Sequence, residues 1–165
     1  MKINIRPYTK ADAETIVAIL NYYIANSTAL YDYELRTLEQ QQVIFEEKLA
    51  KGFPVIVATI EERVVGFAYY SEFRFREAYK FTVEHSVYVM PNEHGKGIGK
   101  QIMKHLIDLA KKQKLHTMIG VIDAENESSI TFHEQFGFKT VGIIKESGYK
   151  FDRWLHSVIM QLMLE

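Results

Sequence analysis

The sequence predicts a mixed α+β fold, and three observations carry that reading. Apolar residues recur with strand character in seven short stretches and with helical spacing in four longer ones. The two kinds interleave as β-α-α-β-β-β-α-β-α-β-β, and the consecutive strands exclude a strict doubly wound βαβ arrangement. With 165 residues, 47% of them hydrophobic, the chain can fill one core. The expectation is one domain over 1–165, with a central mixed sheet of about seven strands and about four helices.

Each element has a local reason. Residues 2–6 alternate Ile3 and Ile5 with polar neighbours, which suits a short strand. Residues 11–26 carry Ile16, Ile19, Leu20, Tyr23 and Ile24 on one helical face. Thr37 and Gln40 form a capping-box pattern ahead of a second helix over 38–51, which Gly52 ends. Residues 53–60 are apolar and β-branched, Glu61, Glu62 and Arg63 make a polar turn, and 64–73 return as the hairpin partner. A further strand spans 81–90. The stripe Ile98, Ile102, Met103, Leu106, Ile107 and Ala110 marks a helix over 97–114 with a basic C-terminal end. Strand 117–122 and helix 127–136 follow, and Gly137 is placed for a left-handed cap. Strands 138–144 and 155–162 complete the order. No linker, repeat or low-complexity segment interrupts it.

Composition excludes several functions. Lys plus Arg is 20 and Asp plus Glu is 21, for a net charge of -1, which argues against nucleic-acid backbone binding as the main task. The chain has no cysteine, so disulfides, thiolate metal sites and a cysteine nucleophile are excluded. The histidines show no metal-ligand spacing, so no metal is expected. No apolar run is long enough to span a bilayer. A cytoplasmic protein without a membrane partner is expected.

The segment His94-Gly95-Lys96-Gly97-Ile98-Gly99-Lys100 carries the chemistry. It follows a strand and opens a helix, so small residues let a ligand approach the backbone and free N–H groups face it. Lys96 and Lys100 add positive charge. The spacing fails the P-loop pattern and fits the dinucleotide fingerprint poorly. It resembles the acyl-CoA loop of the GCN5-related N-acetyltransferases, with His94 where an Arg or Gln is usual. A second segment resembles that family's other CoA-binding element: Asn126, then Ser129, then Phe132, closed by Gly137 and Phe138. Residues 82–89, with Arg76, Ala78 and Tyr79 before them, narrow the resemblance to the phosphinothricin and methionine sulfoximine acetyltransferases. Asn21, Tyr22, Tyr23, Gly148, Tyr149, Lys150, Phe151 and Trp154 agree with it.

That resemblance implies an acyl-CoA N-acyltransferase fold and acetyl-CoA as co-substrate. It also implies transfer to the α-amine of a small amino-acid analogue, by direct attack in a ternary complex. Glu84 would be the base, directly or through water. His133 would serve the CoA thiol. Backbone N–H groups of Val87, Tyr88 and Val89 would meet the acyl oxygen and the pantetheine arm. Arg74, Arg76 and Tyr79, with Glu84, would hold the acceptor, since Arg suits bidentate recognition of oxyanions. A homodimer is expected, as for many relatives. Alternative acceptors are a polyamine or a protein N-terminus, and a non-catalytic CoA-binding module is the alternative from another class. His85, adjacent to Glu84 but on the other side of its strand, reads as structural.

Overall fold

The computed structural model describes residues 2–165. One seven-stranded sheet has the order β1-β2-β3-β4-β5-β7-β6. Its strands are β1 (Asn4–Pro7), β2 (Val55–Ile60), β3 (Arg63–Glu72), β4 (Thr82–Val89), β5 (Thr117–Asp123), β6 (Lys139–Lys150) and β7 (Arg153–Met163). The helices are α1 (Ala13–Asn26), α2 (Leu38–Ala50), α3 (Ile98–Lys112) and α4 (Glu127–Glu134). This is the interleaving the sequence predicts.

The sheet is covered on both faces, which explains why β2 is buried at every residue instead of alternating. On one face α3 packs Ile98, Ile102, Met103 and Leu106 against Ala68, Tyr70 and Met118. On the other, α1 and α2 bring Ile16, Ile19, Leu20 and Phe45 onto Val55, Val57 and Phe67. Burying such side chains contributes roughly 1.5–3 kcal/mol each, so these two layers hold the strands in register. Local signals set the helix ends as expected. Thr37 and Gln40 close a reciprocal capping box at α2, and Gly52 and Gly137 stop helices at positive φ.

The last hairpin departs from the expectation. Strand β6 runs on to Lys150 and β7 starts at Arg153, joined by Phe151 and Asp152, both at positive φ. The expected strand stops at 144, but Lys145, Glu146 and Ser147 continue it as an irregularity inside β6. The register shifts between Ile144 and Gly148, with Glu146 at φ 49.

The sheet opens in its middle. Strands β4 and β5 are parallel and pair only over Thr82↔Thr117, Val83↔Met118 and Glu84↔Ile119. Beyond Glu84, β4 stays paired with β3 and β5 stays paired with β7, so the two strands part.

Candidate active site

The gap between β4 and β5 holds two clefts that share walls. The larger, about 520 Å³, runs along Val87, Tyr88 and Val89 to the glycine loop and reaches Asn126, Ser129 and His133. The smaller, about 330 Å³, contains Glu84, Ser86, Tyr69 and residues 28–31 of the loop between α1 and α2. His85, Val87, Tyr88, Asn126, Ser129 and His133 border both. A group bound in one cleft can therefore be passed to a group bound in the other.

The glycine loop forms an anion cradle for a physical reason. Gly95 and Gly97 sit at φ 79 and 77, a region costly for residues with a Cβ, and space is open where a Cβ would stand. Gly97 caps the fifteen-residue helix α3, whose first N–H groups face the loop. Ile98 is buried as the anchor, while Gly99 and Lys100 line the cleft. Across it, the Asn126 side chain accepts from the Ser129 N–H at 3.1 Å and caps α4. His94 is placed by Tyr23, whose hydroxyl donates to the Val89 carbonyl (2.6 Å) and meets His94 Nε2 at 2.8 Å. Burial pushes the Tyr23 hydroxyl up to about 12. Lys96 departs from expectation: it turns away to pair with Glu93 at 2.6 Å, where Arg63 also binds at 2.7 Å. Its charge is spent on Glu93, and Lys100 is the loop lysine that lines the cleft.

Glu84 sits where β4 leaves β5. Burial pushes its carboxyl above the usual range, against the opposing charges of Arg74 and Lys48. A carboxylate so placed is a stronger base than a solvated one. Arg74, Arg76 and Tyr79 do not line either cleft. Arg74 stacks on Phe73 at 4.8 Å, Arg76 on Phe75 at 5.2 Å, and Tyr79 packs edge-on to Phe73 at 5.7 Å. Arg74 lines a neighbouring shallow depression with Lys48, and both charges act on Glu84.

His85 is buried against His133, a contact that sequence reasoning missed. Its Nε2 lies 3.0 Å from His133 Nε2, and the rings stack 5.0 Å apart. His133 Nδ1 is 2.6 Å from the Ser129 carbonyl, which only an N–H can satisfy. Neutral His133 therefore accepts at Nε2 from the His85 Nε2–H, which leaves His85 Nδ1 buried without a partner. Burial, with the repulsion that a protonated His133 would exert as the smaller cause, pulls His85 down to about 3. Burial also lowers His133. His133 is thus a buried neutral imidazole whose N–H is committed to Ser129, which does not favour giving a proton to a thiolate. Gly120 makes the pair possible, since a Cβ there would meet His85 Nε2 at 3.1 Å and His133 Nε2 at 3.3 Å. Among the described residues, no group of three or more His, Asp or Glu side chains could hold a metal ion.

The family model for an acetyltransferase (GNAT) domain matches residues 5–159. The chain belongs to the GNAT acetyltransferase family. Within that family it is 38% identical to the L-methionine sulfoximine/L-methionine sulfone acetyltransferase of Pseudomonas aeruginosa PAO1, over 100% of this chain and 96% of that protein. Its fold matches the GNAT phosphinothricin acetyltransferase of Sinorhizobium meliloti in complex with AcCoA. The TM-score is 0.96 at 35% identity, covering 99% of this chain and 89% of that one. It also matches the ribosomal-protein-alanine N-acetyltransferase from Brucella melitensis. There the TM-score is 0.96 at 40% identity, covering 98% and 99% of the two chains. The glycine loop, the capped α4 and the parted strands lie within the residues that the family model matches.

Proposed function

We propose that residues 1–165 form one acetyltransferase domain that moves acetyl from acetyl-CoA to the α-amine of a small amino-acid analogue. Methionine sulfoximine, methionine sulfone and phosphinothricin define that acceptor class. The observation that carries the reading is the pair of clefts meeting along Val87 and Tyr88. One ends in the glycine loop, and the other holds a half-buried carboxylate at Glu84. The residues fit acetyl-CoA. Gly95, Gly97 and Gly99 admit a pyrophosphate to the backbone, Lys100 faces it, and Asn126 and Ser129 border the arm. The cofactor supplies an activated thioester. Glu84 takes a proton from the acceptor ammonium, directly or through water, and releases it to solvent. The free amine forms the new C–N bond as the C–S bond breaks. The second N–H proton ends on the sulfur, giving amide and thiol. Backbone N–H groups of Val87 and Val89, on the edge of β4 that β5 leaves, stabilise the developing oxyanion; the alternation turns the Tyr88 N–H to β3, so Tyr88 does not share that expected role. His133 borders this point as a neutral imidazole held by His85. Arg74, with Arg76 on the same segment, adds positive potential beside Glu84 that favours an acidic acceptor, without lining its cleft.

A peptide N-terminus is the second reading, favoured by the name of the Brucella melitensis relative. The compact acceptor cleft walled by residues 28–31 favours a single amino acid. We also propose a homodimer, supported by the exposed apolar side chains Val141, Ile143, Ile144 and Trp154 on the outer hairpin. A cytoplasmic location is proposed from the absence of cysteine.

Thiol release with acetyl-CoA and a panel of amines tests the function. The panel holds methionine sulfone, methionine sulfoximine, phosphinothricin, spermidine and an alanine-initiated peptide. Selective turnover of the first three is expected. Turnover of the peptide or polyamine alone would discard the acceptor class.

A further inference from the structure

The acceptor cleft has one wall without regular structure, and the fold holds it by an unusual device. Residues 28–31 belong to the connection between α1 and α2, which is neither helix nor strand. Such a segment keeps one conformation only if other groups fix it. Here the fixing groups come from the far end of the chain. Lys150, near the tip of β6, is 4% exposed. Its ammonium donates to the Ser27 carbonyl at 2.9 Å and the Leu30 carbonyl at 2.6 Å. No carboxylate pairs with it among the described residues, and burial lowers its pKa against a weaker pull from Asp32. A buried, unpaired ammonium is costly, and charge-assisted bonds to two carbonyls offset that cost.

Two residues before it, Gly148 makes a second seat. The Tyr31 ring occupies its side-chain position so closely that a Cβ would stand 2.5 Å from Tyr31 Cε2. The Tyr31 hydroxyl then reaches Ser157 on β7 at 3.4 Å. Tyr33 donates to the Tyr149 carbonyl, and Thr28 to Asp123 at the end of β5. Of the tied residues, Thr28, Leu30, Tyr31 and Asp123 line the acceptor cleft, and none lines the cofactor cleft. Only Ala29 of the loop borders the cofactor cleft.

We propose that Lys150 and Gly148 are positioning residues for the acceptor: the buried ammonium clasps the carbonyls of Ser27 and Leu30, Gly148 seats Tyr31, and together they fix the wall at residues 28–31 against which the amino acid lies. This rests on reading that cleft as the acceptor site.

The test uses Lys150→Met, which keeps length and removes the donors, and Gly148→Ala, which evicts Tyr31. Methionine sulfone is varied at saturating acetyl-CoA, and acetyl-CoA at saturating sulfone. Hydrogen exchange is followed at residues 28–31. Both variants should lose about tenfold or more in kcat/KM for the sulfone, mainly through KM. The KM for acetyl-CoA should stay within about twofold, and exchange at 28–31 should accelerate while that of β2 and β3 does not. An unchanged sulfone KM, or an equal loss for both substrates, overturns the proposal. If Lys150→Met does not fold, Gly148→Ala carries the same comparison without removing a buried charge. If the wild-type chain turns over no amino-acid analogue, the functional reading falls. Exchange at 28–31 then decides the clasp alone: faster exchange in the variants supports it, and unchanged exchange overturns it.

Discussion

Replacing His85 by Gln removes a buried titrating group while leaving an N–H near the position that donates to His133. In the folded protein burial holds His85 at about 3, whereas an unfolded histidine titrates at 6.5. The folded state therefore resists the proton that the unfolded state accepts. The stability His85 contributes is complete above pH about 6.5 and is lost as pH falls toward 3, at about 1.4 kcal/mol per pH unit. Between pH about 7.5 and about 5 the loss from this residue comes to about 2 kcal/mol, a large share of a typical total of about 5–15. His133, also lowered, adds to it. Glu84 works in the opposite sense, because its raised carboxyl is relieved by acid. The lowered carboxyls of Asp12 and Glu72 matter only at still lower pH. Comparing the two proteins at each pH cancels these background groups. Urea unfolding at four pH values from about 7.5 to about 5 should give His85→Gln a clearly shallower decline than wild type. Parallel declines would refute the assignment of a neutral, buried His85.

The other expectations concern the reaction. Glu84→Gln should cost about 10²–10⁴ in kcat and leave acetyl-CoA affinity, read by calorimetry, nearly unchanged. The wild-type kcat/KM should fall on acidification through a group raised above the usual carboxylate range, since only ionised Glu84 accepts a proton. Arg74→Ala removes a charge that favours that ionised form, so the acid limb of the pH profile should move to higher pH. Gly97→Ala places a Cβ at φ 77, a strain of about 1–2 kcal/mol that a free loop relaxes and a bound one cannot. Acetyl-CoA should bind about tenfold more weakly, with a small change in melting temperature.

Much of this architecture is legible in the residues, because the signals are local. The capping box at Thr37 and Gln40, the stripe on α3 and the glycines ending helices each act within a few positions, and each is found where the pattern puts it. The glycine loop and Asn126 are legible for the same reason. What escapes is set by distance in sequence. The carboxylate that takes up Lys96 is three residues away, yet nothing in the pattern shows that Glu93 is also held by Arg63, thirty positions earlier. The meeting of His85 with His133 depends on β4 and β5 lying parallel with Gly120 between them. The continuation of β6 past Ser147 is masked by residues that favour turns, and it is imposed by pairing with β7. A rule of alternation faces His85 away from Glu84, but it cannot say that the other side of the strand is also a cleft wall.

The parting of β4 from β5 has a mechanical meaning as well. Three residue pairs at one end hold together two blades, β1 to β4 on one side and β5 to β7 on the other. Elsewhere each strand of a blade has a partner along most of its length. What holds the blades together beyond Glu84 is therefore packing: one core joins α3 to Ala68 and Tyr70 on one blade and to Met118, Val158 and Met160 on the other. The wedge is thus propped by side chains beneath it, with the proposed base at its apex. A ligand lying in the wedge would meet the edge of β4 that has no strand partner there.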